Sequence, residues 1–179
     1  MNKIVAIVGM CGTCKGVAST YLENIGYEKI YFGGVIYDAM REKGIEITPD
    51  SQKKFRENLR KEHGMGGVAK LLLPKIEKTL KEKNVVLDGL YSWDEYKILI
   101  DKFKDLKLIC VVTNKKLRYE RISIRPDRPF NSDEVIKRDL SEIENLAKGG
   151  PIAFADYFII NNKDINDFEN QLKNILKEV

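Results

Sequence analysis

The chain has 179 residues, 43% hydrophobic and 32% charged, with 31 basic against 27 acidic side chains and a formal charge of +4. That length suits one domain with a sizeable core and is short for two. No apolar stretch approaches the roughly 20 residues that cross a bilayer, and the mixing of charge signs argues for solvated helix faces rather than a nucleic-acid stripe. Neither a membrane nor a nucleic acid is therefore an expected partner, and with no secretory leader pattern the cytoplasm is the expected compartment.

In chain order, short apolar runs place strands at about 3 to 8, 29 to 33, 84 to 88, 107 to 112 and 157 to 161. They are continuously apolar, as strands are when both sheet faces are covered. Helical spacing fills the gaps: Val17, Tyr21, Leu22 and Ile25; Phe55 and Leu59; Val68, Leu71, Leu72 and Ile76; Tyr96, Leu99 and Ile100; Ile136, Leu140, Ile143 and Leu146; Phe168, Leu172, Ile175 and Leu176. Alternating strand and helix predicts a three-layer α/β domain on a five-stranded parallel sheet, with ligands at the carboxyl ends of the strands. Two connections are too long for simple crossovers, 35–83 with some three helices and the arginine-rich 115–147, and both read as flaps over that edge. Lys148-Gly149-Gly150-Pro151 reads as a helix stop, and Cys110, inside an apolar run, as a buried structural thiol.

Residues 9 to 16, Gly-Met-Cys-Gly-Thr-Cys-Lys-Gly, lie between the first strand and the first helix. Gly9, Gly12 and Lys15 stand as in the phosphate-binding pattern G-x-x-x-x-G-K-[ST], with Cys14 in place of the second glycine and Gly16 in place of the hydroxyl. Such a loop cradles an anion with backbone N–H groups above a helix N-terminus. Thr13 is small enough to leave its amide open, whereas a Cβ at Cys14 resists positive φ. Cys11 and Cys14 also form a C-x-x-C pair, the pattern of dithiol redox sites. A phosphate cradle, a redox pair and a loop that has lost both activities all stay open on the motif alone; a disulfide between the two cysteines would close the cradle to anions.

The rest of the chain bears on that choice. The loop at 9 to 16, Val85-Val86-Leu87-Asp88-Gly89, the Arg118 to Arg128 stretch with Arg138, and Ala155-Asp156-Tyr157-Phe158-Ile159-Ile160-Asn161 together resemble the P-loop kinases of the adenylate kinase and dephospho-CoA kinase group over nearly the whole length. The resemblance implies a P-loop NTPase fold, ATP and Mg2+ as cofactors, and a nucleotide-like acceptor such as a nucleoside monophosphate. It places Gly9, Cys11, Gly12, Thr13, Cys14, Lys15, Gly16 and Val17 around the nucleotide's phosphates, joined by Arg118 and Arg121. Lys15, Arg125, Arg128 and Arg138 become the catalytic cations, the last three carried by the lid. Adenylate kinases also have glycine after the lysine.

Asp88 and Gly89 match that group's Asp-Gly, although Leu90-Tyr91-Ser92 lacks the arginine that follows there. Asp88 is the expected magnesium ligand, through water, with a cap on the helix starting near Ser92 as its other reading. Within 35–83, Arg41, Arg56 and Arg60 are candidates for the acceptor, with Asp88 and Gly89. Lone His63 reads as a cap or surface residue. A nucleotide-binding sensor without turnover is the main alternative, and a dithiol oxidoreductase the third.

Overall fold

Runs of valine, isoleucine and leucine leave no face for water, and the three that lie at the centre of the sheet are covered on both sides, whereas the two edge strands stay partly exposed. The computed structural model describes residues 2–126 and 129–179. Strands β1 (Ile4–Val8), β2 (Glu28–Tyr31), β3 (Val85–Asp88), β4 (Lys107–Val112) and β5 (Tyr157–Ile160) form one sheet in the order β2-β3-β1-β4-β5. All four pairings are parallel. Register sets Ile7 of β1 opposite both Asp88 of β3 and Ile109 of β4, so Asp88 sits two residues short of Gly9 at the carboxyl edge.

Alternation divides the core. Ile4, Ala6 and Val8 face helices α4 (Gly67–Leu80) and α5 (Trp93–Lys102), through Leu72, Ile76 and Leu99. Val5 and Ile7 face α1 (Lys15–Asn24) and α9 (Ile165–Ile175), through Ala18, Leu22, Phe168 and Leu172. Each fully buried aliphatic side chain contributes roughly 1.5–3 kcal/mol, which fixes β1 rigidly beneath the loop that follows it. Helices α2 (Phe32–Glu42) and α3 (Pro49–His63), with α4, fill the 35–83 connection and share a small core of Ile36, Met40 and Leu59. The 115–147 connection carries α6 (Lys115–Ile124) and α7 (Ser132–Glu144), and a short α8 (Gly149–Ala153) leads into β5.

Three expectations change. The second strand stops at Tyr31, because the Tyr31 ring folds back over Gly33, where a Cβ would lie 2.5 Å from it, and Phe32 already opens α2. Lys148 to Pro151 starts a helix instead of ending one: Pro151 stands at the third position of α8, whose N–H would have no helical acceptor in any case. Helix α7 is turned over. Val135, Asp139 and Glu142 are buried, while Ile136, Leu140 and Ile143 of the expected inner stripe are 43%, 49% and 52% exposed.

Candidate functional site

At the carboxyl edge the chain leaves β1 through a loop only these residues permit. A Cβ at Gly9 (φ +150°) would lie 2.4 Å from the Val111 carbonyl oxygen, and one at Gly12 (φ +82°) 2.5 Å from the Ile122 side chain. Cys14, the residue before α1, adopts the left-handed conformation (φ 66°, ψ 37°) that glycine takes without strain, at a cost of roughly 1–2 kcal/mol. The loop is tied down from two elements, the end of β5 and α6. Asn161, after β5, donates its side-chain amide to the Thr13 carbonyl (3.1 Å), Arg121 of α6 donates to the Asn161 carbonyl (2.8 Å), and Arg118 donates to the Cys11 carbonyl (2.9 Å).

Met10 turns its carbonyl inward, where it accepts from the Thr13 hydroxyl (3.0 Å) and from Lys15 Nζ (2.9 Å). Burial, then the charge of Lys148, pushes the Lys15 pKa down to about 8, against the opposing pull of Glu142, Cys11 and Asp88. Among the described residues no carboxylate is hydrogen-bonded to this ammonium. Asp88 accepts from the hydroxyl of buried Ser19 (2.7 Å) one turn along α1 from Gly16. A hydroxyl is thus present at 19 rather than at 16, and a lone serine inside a helix gave no sequence signal for it. Asp88 does not cap α5; Ser92 does, in a capping box with Glu95. Burial raises the Glu95 pKa to about 7 although the Tyr91 and Ser92 amides donate to it.

Above the loop lies a cluster that the sequence did not disclose. The Glu142 carboxylate, 1% exposed, accepts from Lys148 Nζ (2.8 Å), Arg138 Nε (2.9 Å) and the Cys11 backbone N–H (3.3 Å). Burial would raise its pKa, yet the charge and hydrogen bond of Lys148, then Arg138 and Lys15, hold it below the usual carboxylate range. Lys148 itself is wholly buried and lies 4.8 Å over the Tyr91 ring. Beside it Asp139, with a pair of hydrogen bonds, takes the Arg118 guanidinium and accepts from the Tyr119 hydroxyl at 3.0 Å.

The expected arginines divide by place. Arg138 joins the cluster over the loop; from α6, Arg118 braces the loop's Cys11 carbonyl and Arg121 the Asn161 carbonyl beside it; Arg125 follows α6 with its guanidinium 4.8 Å over the Phe130 ring. Arg128 lies outside the described residues. On the other flap, Arg60 is close enough to act on the Glu95 charge, Arg56 is exposed, and Arg41 pairs with Asp38 in its own helix. Gly89 (φ +94°) lets the chain turn under the Tyr91 ring, and Val17 donates its N–H to the Cys14 carbonyl. His63 ends α3 half-exposed. Cys11 and Cys14 are both free thiols, and Cys110 is buried, its pKa raised to about 11 chiefly by burial.

This donor set fits a polyphosphate, since the loop already holds an anionic group on one of its amides. Among the described residues no group of three or more histidine, cysteine or acidic side chains could hold a metal ion. No helix of the described residues is long and apolar enough to cross a membrane.

No family model matches the chain. It is 35% identical to a UPF0200 protein of Sulfurisphaera tokodaii over 99% of this chain and 97% of that one, and 32% identical to a UPF0200 protein of Methanocaldococcus jannaschii over 98% and 90%. Among solved structures it superposes on shikimate kinase from Bacteroides thetaiotaomicron with a TM-score of 0.62, at 14% identity, covering 99% of each chain. A sugar kinase from Janibacter superposes with a TM-score of 0.60, at 11% identity, covering 99% of this chain and 94% of that one. The five-stranded parallel sheet with its flanking helices is the P-loop kinase fold.

Proposed function

The chain belongs to the UPF0200 family, and we propose that it is an ATP-dependent phosphotransferase acting on a nucleotide-like acceptor, of the adenylate kinase and dephospho-CoA kinase kind. The observation that carries the reading is Lys15: an ammonium enclosed by a glycine loop at the carboxyl edge, hydrogen-bonded to a carbonyl and to no carboxylate among the described residues. A cation held so calls for an anionic ligand. The likeness to shikimate and sugar kinases supports the fold, and the acceptor comes from the pattern of site residues.

Magnesium-bound ATP would supply the γ-phosphoryl group. Gly9 to Val17 would hold its phosphates by backbone amides, Lys15 would neutralise charge developing between donor and acceptor, and Asp88, oriented by Ser19, would hold magnesium through water. Arg125, Arg128 and Arg138 would close over the transferring group from the 115–147 lid, with Arg118 and Arg121 fixing the loop beneath. Arg41, Arg56, Arg60 and Gly89 would serve the acceptor on the 35–83 side. Cytoplasmic placement and small-molecule partners alone belong to the same proposal. Gly16 and the left-handed Cys14 favour a second reading, a nucleotide sensor with little turnover. Calorimetric titration with Mg-ATP decides the first step: saturable binding that Lys15→Ala removes supports both readings, and no binding to the wild type sinks both.

A further inference from the structure

Glu142 sits where a ligand belongs. Three donors of different origin converge on its carboxylate: the Cys11 amide of the loop, the guanidinium of Arg138 on the same helix, and the ammonium of Lys148 at the start of α8. Both Glu142 and Lys148 are shut off from solvent, with side chains 1% and 0% exposed. A carboxylate in the anion nest of a phosphate loop offers the loop what a phosphoryl group offers: planar or tetrahedral oxygens, negative charge and no protons. The nucleotide's phosphates would carry more charge than one carboxylate, and the same three donors suit them.

The packing of α7 bears on this independently. To bring Glu142 and Asp139 inward, the helix leaves Ile136, Leu140 and Ile143 facing a cavity of about 440 Å³ that also borders Met10, Tyr119 and Ile152. An amphipathic helix ordinarily buries its apolar stripe. The present seat of α7 is held by ion pairs, and the helix keeps an unused apolar face for another seat once the carboxylate leaves the loop.

We propose, resting on the phosphate-loop reading, that Glu142 is an internal anion occupying the phosphate site of the ligand-free protein, and that Lys148 is a phosphate-binding cation which passes, with Arg138, from Glu142 to the nucleotide. The incoming phosphate takes the Cys11 amide, Lys148 keeps an anionic partner throughout, and α7 is released from the loop. Nucleotide affinity is then lowered by the fraction of molecules in which Glu142 occupies the site. Lys148 escaped notice in the sequence because it precedes Gly-Gly-Pro, and Glu142 because it reads as an ordinary i, i+4 partner of Arg138.

The probe is inorganic pyrophosphate, titrated calorimetrically into wild type, Glu142→Gln, Glu142→Asp and Lys148→Met. Removing the competing charge, or shortening it by one methylene so that it withdraws from the Cys11 amide, is expected to tighten binding about tenfold, the ratio for a site ninety per cent occupied by Glu142. Lys148→Met is expected to weaken it tenfold or more. In the wild type, saturation with pyrophosphate should increase amide hydrogen exchange in residues 132–144, a readout that needs no variant to fold. Pyrophosphate binding unchanged or weakened in both Glu142 variants, with 132–144 equally protected in the wild type, would overturn the proposal and leave Glu142 and Lys148 a structural ion pair. Failure of wild type to bind either pyrophosphate or Mg-ATP would instead sink the phosphate-loop reading on which it rests.

Discussion

Cys14 and Gly16 are where the loop departs from the phosphate-binding pattern, and the structure treats them differently. Cys14 has been accommodated in a left-handed conformation at some strain, so the loop keeps its shape without the second glycine. Gly16 has no atom within 4 Å of where its Cβ would lie. Gly16→Ser should therefore fold, gain at most about 0.5 kcal/mol from better helix propensity, and bring a hydroxyl towards magnesium; a several-fold gain in Mg-dependent turnover is expected, and a loss of turnover with the fold intact would show that Ser19 already fills the role. Lys15 sets a pH limit. Its ammonium in the free protein loses its proton through about pH 8, whereas a bound polyphosphate favours the charged form. ATP affinity should thus be highest below pH 8 and fall roughly tenfold per unit above it. Titrations from pH 7 to 9.5 check this, and a flat profile would mean that Lys15 does not face the phosphates.

At the scale of elements, α7 shows what a residue pattern can and cannot tell. Periodicity correctly gives a helix between 132 and 144 with an apolar stripe, and by itself it points that stripe at the core. What reverses it lies far along the chain: Asp139 is met by Arg118 from α6, and Glu142 by Lys148 beyond the helix's end. Paired charges with satisfied hydrogen bonds can be buried, and here two of them outweigh three half-exposed aliphatics. The expected contrast in urea unfolding is sharp. Asp139→Asn leaves the Arg118 charge buried without its anion and should cost about 3–5 kcal/mol, whereas Leu140→Gln, on the half-exposed face, should cost less than about 0.5 kcal/mol. The reverse order would mean that α7 packs by its stripe after all. The central strands were easier to read, because a continuously apolar run covered at both sheet faces needs no distant partner to explain it.

For the whole molecule, alternating strands and helices were enough to reach a three-layer α/β domain on a parallel sheet, its P-loop kinase form coming from the resemblance carried by the motifs, and the carboxyl edge of β1 and β3 brings Lys15 and Ser19 of α1 together with Asp88 from a distant part of the chain. The loop and Asp88 were visible as a motif and a strand end. Ser19, Glu142 and Lys148 were not, since their places depend on tertiary packing rather than on spacing. On the proposed acceptor side the arginines do not converge: Arg60 approaches the Glu95 corner, while Arg41 is engaged by Asp38. The central claim is phosphoryl transfer from ATP at Lys15 to a nucleotide-like acceptor. The measurement that tests it most directly is ADP production from Mg-ATP in the presence of each nucleoside monophosphate and of dephospho-CoA in turn, with wild type and Lys15→Ala side by side. Acceptor-dependent ADP formation that falls at least a hundredfold in Lys15→Ala is the expected result; tight Mg-ATP binding with no acceptor-dependent turnover, or turnover that survives the loss of Lys15, would contradict it.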